Sequence, residues 1–587
     1  MIKTNKTVRR RTVTRPLRRR AAPVIRKSSS ISGSEETLRF AALGGLEEVG
    51  RNCMFFEYKN DIVVLDMGLQ FPEEETPGVD YIIPNISYLE ERKKSIRAII
   101  LTHAHLDHIG AIPYLVEKLG NPPIYATALT KEMVAKRQSE FPNAPKLNVE
   151  VIKNFSRVRL SNYFEAVFFG VAHNIPDTTG VMLKTPAGNA VHFADFKLDY
   201  DKDGNPLGLE DFEEISKEKV DVLLLDSTNA EEEGRSLSER VVEKNLEELF
   251  KKAPGRIIIG IFASLLTRIG EILKIANRLD RKVALSGYSL KTNVQIAQNL
   301  GYIKAPKDLF IQLEEIHKYK DEKVMIVSTG AQGEPNASLM RVANGEHRHV
   351  QVKKGDTIIF SSSVIPGNER SVQVLKDSLI RQGGKVYTSR MIDIHSSGHA
   401  PQEELATVIK IMKPKFFIPV HGYYFMRATN GEVAESAGVK KENIVLPGNG
   451  QVVEITKDSM HLTDEILPTY YVMVDGLGVG DVGEVVLRDR KALAEEGMIV
   501  MIITLDKRTG RMLKNPDIIS RGFIYLRENQ QLLDDIRAKL RALITRIPRR
   551  QPLDGDYLKS LMRDQIGQFV FNKIKRRPMI LPVVIEI

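Results

Sequence analysis

The sequence predicts an α/β protein of about three domains, and three observations carry that expectation. Its 587 residues exceed what one hydrophobic core organises. Short β-branched apolar runs recur from about residue 37 and end on polar residues. Between about 237 and 394 the pattern becomes strand followed by helix, the grammar of a parallel sheet. An apolar content of 42% and a charged content of 27% suit a globular chain. No run approaches the ~20 apolar residues of a membrane-spanning helix.

In chain order, residues 1–36 form a basic arm with eleven Lys and Arg against Glu35 and Glu36. The whole chain carries +10, so the arm's net +9 leaves the body nearly neutral. The arm lacks apolar periodicity and is rich in Arg, Ser and Thr, which predicts a disordered, polyanion-seeking tail. An organelle transit peptide is the alternative, and the missing apolar h-region argues against a secretory signal. The single cysteine, Cys53, excludes a disulfide framework and fits a reducing cytoplasm. It also leaves any metal to His, Asp or Glu.

Residues 37–236 contain the strand-like runs "NDIVVLDMG", "IRAIILTH", "AVFFGVAH", "NAVHFADF" and "VDVLLLDST". Residues 237–394 pair "GRIIIGIFAS" with the helical "LLTRIGEILKIANRL", then continue with "KVALSG", "EKVMIVSTG", "DTIIFSSS" and "GKVYTSR". Residues 395–460 return to the first pattern in "IKIMKPKFFIPVHGYY". A last unit, 461–587, opens on the strand-like "YYVMV" and closes on "MILPVVIEI". Its helix "ENQQLLDDIRAKLRALITRI" lines up Leu532, Leu533, Ile536, Leu540, Leu543 and Ile544 on one face. "GVGDVG" at 478–483 spells a dinucleotide fingerprint, but the "EVVLRDR" after it reads as a strand. A glycine-rich hairpin turn is therefore expected there.

The chemistry concentrates in "LTHAHLDHIGA", residues 101–111, where His103, His105, Asp107 and His108 crowd the end of the apolar "IRAII". A single such histidine is ordinary. Four ligand-type residues in six positions would crowd cationic or desolvated groups, which a bound dication relieves. Other strands end likewise: "FFGVAH" on His173, "VHFAD" on Asp195 and "FFIPVH" on His421. One tetrahedral zinc takes four ligands, whereas these seven, with one carboxylate bridging, suit two ions sharing a hydroxide. His and Asp ligation favours Zn²⁺, with Mn²⁺ next.

These motifs resemble the metallo-β-lactamase fold, in which Asp66 of "VVLDMG" matches an aspartate that supports the ligand loop. The inserted stretch, with "DSTNAE", "SSGHA" and "IPVHG", resembles the β-CASP subgroup of nucleic-acid-processing enzymes. From about residue 37 to 587 the chain resembles the bacterial ribonuclease J family. "STGAQGEP", "ANGEHRH", "FSSSVIPGNE", "SSGHAPQEEL", "KPKFFIPVHGYY" and "DIISRGFIYL" carry that resemblance. It implies an αββα sandwich with an inserted β-CASP α/β domain and a small C-terminal α/β domain. It also implies two zinc ions, one on His103, His105 and His173, the other on Asp107, His108 and His421, with Asp195 bridging. The β-CASP motifs map onto Asp226, His399 and His421. In "FASLLTRIG", Leu265 and Thr267 stand where the family commonly has Asn and His, which leaves one RNA-backbone contact unmatched.

The expected chemistry is hydrolysis of a phosphodiester to a 5′-phosphate and a 3′-hydroxyl. His399 serves as general acid for the departing O3′, oriented and kept protonated by Asp226. The serine loop (Ser361, Ser362, Ser363) and the loop His395, Ser396, Ser397, Gly398 and His399 supply donors for phosphate. In the family these loops hold a terminal 5′-monophosphate, which implies 5′→3′ exonuclease action alongside endonuclease cuts. Roles in mRNA decay and rRNA maturation follow from the resemblance. So do single-stranded RNA as substrate, other RNA-decay proteins as partners, and homodimers or homotetramers assisted by the C-terminal domain. A small-molecule hydrolase, a DNA-directed β-CASP nuclease and a non-enzymatic RNA scaffold are the rival readings.

Overall fold

The computed structural model describes residues 36–72, 76–365, 367–476, 478–480, 482–524, 529–546 and 555–587. The basic arm expected over 1–36 lies outside the described residues, except for Glu36.

Two sheets face each other. One has eight strands in the order Met460–Ile466, Gln451–Ile455, Leu38–Gly44, Cys53–Tyr58, Asp61–Leu65, Ile96–Ile100, Ile124–Ala126 and Val149–Val151. The other has six, in the order Phe416–Val420, Val222–Asp226, Gly188–His192, Thr179–Thr185, Glu165–Gly170 and Arg157–Arg159. Alternation along the strands sends one set of side chains inward, and Phe40, Phe56, Val63 and Ile100 meet Phe168, Val181, Leu224 and Ile418 between the sheets. The outer faces are also apolar and are covered by helices. Ile109, Ile112 and Leu129 pack on Ala41, Phe55 and Ile99, while Phe212, Leu405 and Val408 pack on Val167, Met182 and Leu223. The result is an αββα sandwich.

The insert carries five parallel strands in the order Lys282–Ser286, Val324–Ser328, Ile257–Gly260, Thr357–Phe360 and Lys385–Thr388. Such strands are buried on both faces, which is why they read as near-continuous Ile and Val. Helices Glu239–Lys252, Leu266–Arg278 and Tyr288–Asn299 cover one face, and Ser338–Ala343 with Glu369–Arg381 cover the other. The first of these clusters runs without a break into the outer core of the sandwich.

The terminal unit packs helices Gln530–Thr545 and Gly555–Ile574 on a sheet ordered Asp517–Arg521, Met498–Leu505, Met579–Glu586. Three expectations need correction. Val472–Asp475, overlapping the end of "YYVMV", pairs with Tyr81–Ile83 of the sandwich side rather than with the terminal sheet. "EVVLRDR" is not a strand but the start of helix Glu484–Glu496. Leu, Arg, Lys, Ala and Glu, all good helix formers, outweigh Val485 and Val486. The glycine-rich hairpin turn expected at 478–483 is not there either: Gly478–Val479 is itself a strand returning on Val474–Asp475, and Gly483 caps the helix. Glu484 occupies the helix's first turn, where a pyrophosphate would need positive potential, and the helix buries none of its residues. Among the described residues, no helix is long and apolar enough to cross a membrane.

Candidate metal centre

The ligand-type residues lie at strand ends along one edge of the sandwich. After Ile96–Ile100 the chain runs through Thr102 and His103 into the short helix Leu106–Ile109, whose N-cap is His105. Gly68 crosses beneath it, and a Cβ there would sit 1.5 Å from the Asp107 carbonyl oxygen, so only glycine fits. Asp66, buried and left-handed at φ 60°, accepts from Thr102 N at 2.8 Å and from the Thr102 hydroxyl at 2.9 Å. Its carboxylate also lies 2.8 Å from His108 Nδ1. His173, Asp195 and His421 follow Glu165–Gly170, Gly188–His192 and Phe416–Val420.

Two groups result. In the first, His105 Nδ1 lies 3.1 Å from His103 Nε2 and 3.2 Å from His173 Nε2. His173 Nδ1 donates to the Gly398 carbonyl at 2.7 Å, so its Nε2 is a bare lone pair pointed at its neighbours. Burial pushes all three imidazoles down, His105 to about 4, and keeps them neutral. The second group joins Asp107, His108, Asp195 and His421. His108 Nε2 is 3.3 Å from Asp195 Oδ2 and 3.4 Å from Asp107 Oδ2, and His421 Nε2 is 3.5 Å from Asp107 Oδ2. Asp195 Oδ2 also reaches within 3.8 Å of His103 Nε2, so it touches both groups.

Burial opposes the charge on Asp107 and Asp195, but the imidazoles of His108 and His421 hold both carboxyls well below the usual range. The same carboxylates outweigh burial and raise His108 and His421 well above the ordinary histidine value. Such a site is stable with positive charge at its centre, which is what a cation supplies. His421 Nε2 is buried without a hydrogen-bond partner. That orphaned atom and the converging lone pairs of the first group are the features of a donor set that fits divalent ions.

His399 stands beside this set, with Nδ1 2.7 Å from Asp226 Oδ2. Asp226 also faces His421 Nδ1 at 3.2 Å. Burial lowers His399, but the Asp226 charge and hydrogen bond outweigh it and raise the imidazole above its ordinary value. The sequence reading did not single out Thr228. Its hydroxyl donates to Asp226 at 2.7 Å and lies 2.7 Å from His421 Nδ1. "DSTNAE" contained it, but threonine is too common to stand out.

The two loops expected to bind phosphate have their hydroxyls differently engaged. Ser361 donates to the Ile394 carbonyl at 2.9 Å, and Ser396 donates to the Leu237 carbonyl at 2.7 Å while accepting from Lys197. Ser397 accepts from Asn229 and from His399 N, Ser362 is buried and Ser363 is exposed. Gly398 packs closely here: a Cβ would lie 2.4 Å from Asn174 Nδ2 and 2.6 Å from His173 Cε1, so any larger residue must displace those side chains. A cavity of about 140 Å³ opens beside His173, and Leu265, Thr267, Lys197, Arg268, His395 and Ser396 are among its lining. Lys197 and Arg268 both pair with Glu239. Burial, and then Arg268, depress His395 to about 4.

Comparison with known families matches residues 46–203 to the metallo-beta-lactamase superfamily and 254–379 to the ribonuclease J beta-CASP domain. Residues 367–443 match a Zn-dependent metallo-hydrolase RNA specificity domain, and 485–587 the ribonuclease J C-terminal domain. Ribonuclease J2 of Bacillus subtilis is 38% identical over 553 residues, covering 94% of this chain and 99% of that protein. Ribonuclease J 2 of Staphylococcus aureus is 36% identical over 560 residues, covering 95% of this chain and 100% of that one. A solved structure from Enterococcus faecalis, described as a protein of unknown function, has a TM-score of 0.52 at 15% identity. It covers 71% of this chain and all of its own, a likeness of fold alone.

Proposed function

The chain belongs to the ribonuclease J family and is a metal-dependent ribonuclease, and we propose that it degrades single-stranded RNA with two zinc ions. In this proposal it acts 5′→3′ on 5′-monophosphorylated ends and also cuts internally, in mRNA decay and rRNA maturation. The observation that carries it is the pair of ligand groups that meet at Asp195. His103, His105 and His173 would hold one ion, Asp107, His108 and His421 the other, with Asp195 between them. Mn²⁺ is the next candidate for the same nitrogen and oxygen donors. Such a pair, when bound, supplies hydroxide near neutral pH and offsets charge developing on phosphoryl oxygens.

The protein's own groups do the rest. Asp226 anchors His399 through Nδ1, which leaves Nε2–H to protonate the departing O3′. Products with a 5′-phosphate and a 3′-hydroxyl follow. Ser362, Ser363, Ser397, His395 and the Gly398 backbone line the approach to a terminal phosphate. Ser361 and Ser396, whose protons go to carbonyl oxygens, hold those loops in shape.

The terminal unit supports self-association. Ile519, Leu581, Val583 and Ile585 are all exposed on the two outer strands of its sheet, on either side of Met498–Leu505. An apolar face of that kind suits a dimer or tetramer contact, and other RNA-decay proteins are further candidate partners.

The deciding experiment compares matched RNA and DNA oligomers bearing 5′-monophosphate or 5′-hydroxyl ends, with zinc, with manganese and with chelator. Rapid zinc-dependent release of nucleotides from 5′-phosphorylated RNA is expected. Equal cleavage of DNA, or cleavage that survives chelation, would overturn the proposal.

A further inference from the structure

Among the described residues Tyr288 is the most exposed aromatic side chain, 79% accessible, although its backbone is tightly held. It opens helix Tyr288–Asn299 directly after strand Lys282–Ser286, at the carboxyl end of a parallel sheet. Open α/β sheets bind ligands at that end. Gly287 makes the turn at φ 121°, and a Cβ there would lie 2.6 Å from the Thr329 hydroxyl, so the chain cannot shift toward Thr329. Thr329 N donates to the Ser286 carbonyl at 3.1 Å, and the Thr292 hydroxyl donates to the Tyr288 carbonyl at 3.0 Å. A rigid base under a bare ring costs little entropy when something stacks on it.

The surroundings say what would stack. Lys136, on helix Ala128–Ser139 of the sandwich, holds its ammonium 5.8 Å from the Tyr288 ring centre. It donates to Asn293 Oδ1 at 2.9 Å, and Asn293 Nδ2 donates to the Ala263 carbonyl at 3.0 Å. Two residues beyond Ala263, Leu265 and then Thr267 line the cavity beside His173. The ring therefore stands where a helix of the sandwich meets a helix of the insert, on the side of the insert from which Leu265 and Thr267 reach the cavity beside His173. Helix Tyr288–Asn299 contains no Asp or Glu and exposes Lys291 one turn from the ring. A π-face flanked by two ammonium groups, on a helix that carries no carboxylate of its own, matches a nucleobase with its phosphates.

We propose that Tyr288 is a stacking platform for one unpaired base of an RNA strand crossing this junction, with Lys136 and Lys291 meeting the adjoining phosphates. The proposal rests on the ribonuclease reading and adds a base-binding subsite away from the metal ligands. The test uses the full metal-loaded chain and a set of RNA oligomers, each abasic at one position. Phosphorothioate copies of the oligomers allow affinity to be measured apart from cleavage.

One abasic position should weaken binding and lower kcat/KM by about five- to a hundredfold, the usual worth of one stacked base. Tyr288→Ala should show the same loss on intact RNA and no further loss on that abasic oligomer, while Tyr288→Phe stays near wild type. Two- or three-nucleotide substrates should be cleaved equally by all variants. Additive losses at every position, or unchanged RNA affinity in Tyr288→Ala, would overturn the platform. So would a change in oligomeric mass without a change in RNA affinity, which would make the ring a contact between copies. Because affinity is read on uncleaved RNA, absence of nuclease activity would refute the function without bearing on this subsite.

Discussion

Replacing Asp66 by Asn should weaken one metal ion and spare the other. The buried Asp66 carboxylate accepts from Thr102 N at 2.8 Å and from the Thr102 hydroxyl at 2.9 Å, and lies 2.8 Å from His108 Nδ1. The last contact keeps a proton on His108 Nδ1, so that Nε2, beside Asp107 and Asp195, is the nitrogen that would give up its proton and offer a lone pair to an ion. In Asp66→Asn one oxygen still takes the Thr102 N–H, and the new amide N–H₂ meets His108 Nδ1–H donor to donor. The imidazole then either tilts away or moves its proton to Nε2, and in both cases the lone pair leaves the metal locus. Losing such an orienting partner lowers metal affinity by about 10–100-fold, or about 1.4–2.8 kcal/mol. A charge-assisted hydrogen bond, worth about 1.5–3 kcal/mol, gives the same range. Chelator competition with elemental analysis should find one ion at wild-type affinity and a second weakened. Cleavage should fall at limiting zinc and recover at high zinc. Two ions of unchanged affinity, or two lost together, would refute the assignment of His108 to a separate group from His103, His105 and His173.

His105→Ala and Asp195→Asn should lose metal and RNA cleavage together, and cleavage that persists with metal gone would remove the mechanism. His399→Ala should keep its metals and lose about 10²–10⁴ in turnover, with a smaller loss on a leaving group that needs no proton; equal losses on both would assign it to phosphate binding. Because His399 is held above its ordinary value, it stays protonated to higher pH, so the alkaline limb of kcat should lie above that value. Asp226→Asn should then shift this limb to lower pH, and an unmoved limb would count against the pairing. Glu271 is pushed from 4.5 up to about 7, first by burial and then by Glu239. Its stabilising contribution is full below pH 4.5 and lost as pH rises through about 7, some ~3 kcal/mol in all, so Glu271→Gln should gain on wild type between pH 4.5 and 8 in paired denaturation curves. A pH-independent difference would reject that.

The His and Asp residues that the fold brings together were legible because they follow apolar runs, and a strand end is a local event. His103, His105, Asp107 and His108 follow one strand, and His173, Asp195 and His421 needed only their own "GVAH", "HFAD" and "IPVH". Features settled by distant partners were not. The pairing of Val472–Asp475 with Tyr81–Ile83 joins segments almost 400 residues apart, and period-two patterning cannot name a partner. Helix Gly555–Ile574 went unanticipated, although Leu558, Met562, Ile566 and Val570 repeat every four residues on its buried side. At "EVVLRDR" two valines were weighed above the helix formers that follow them.

Direction is the deeper gap at the site. A sequence can say that Ser361 and Ser396 bring hydroxyls to a loop, but their protons go to Ile394 and Leu237, and only the folded loops decide that. The same holds for Lys197 and Arg268, cations whose charge faces Glu239 from another helix. Leu265 and Thr267 could be recognised as departures from a family pattern, but not as walls of a cavity. A cavity is assembled from segments near 172, 197, 239, 267 and 395 at once. The chemistry of single residues is therefore written locally. The cavity beside them exists only once five separate stretches of chain have met.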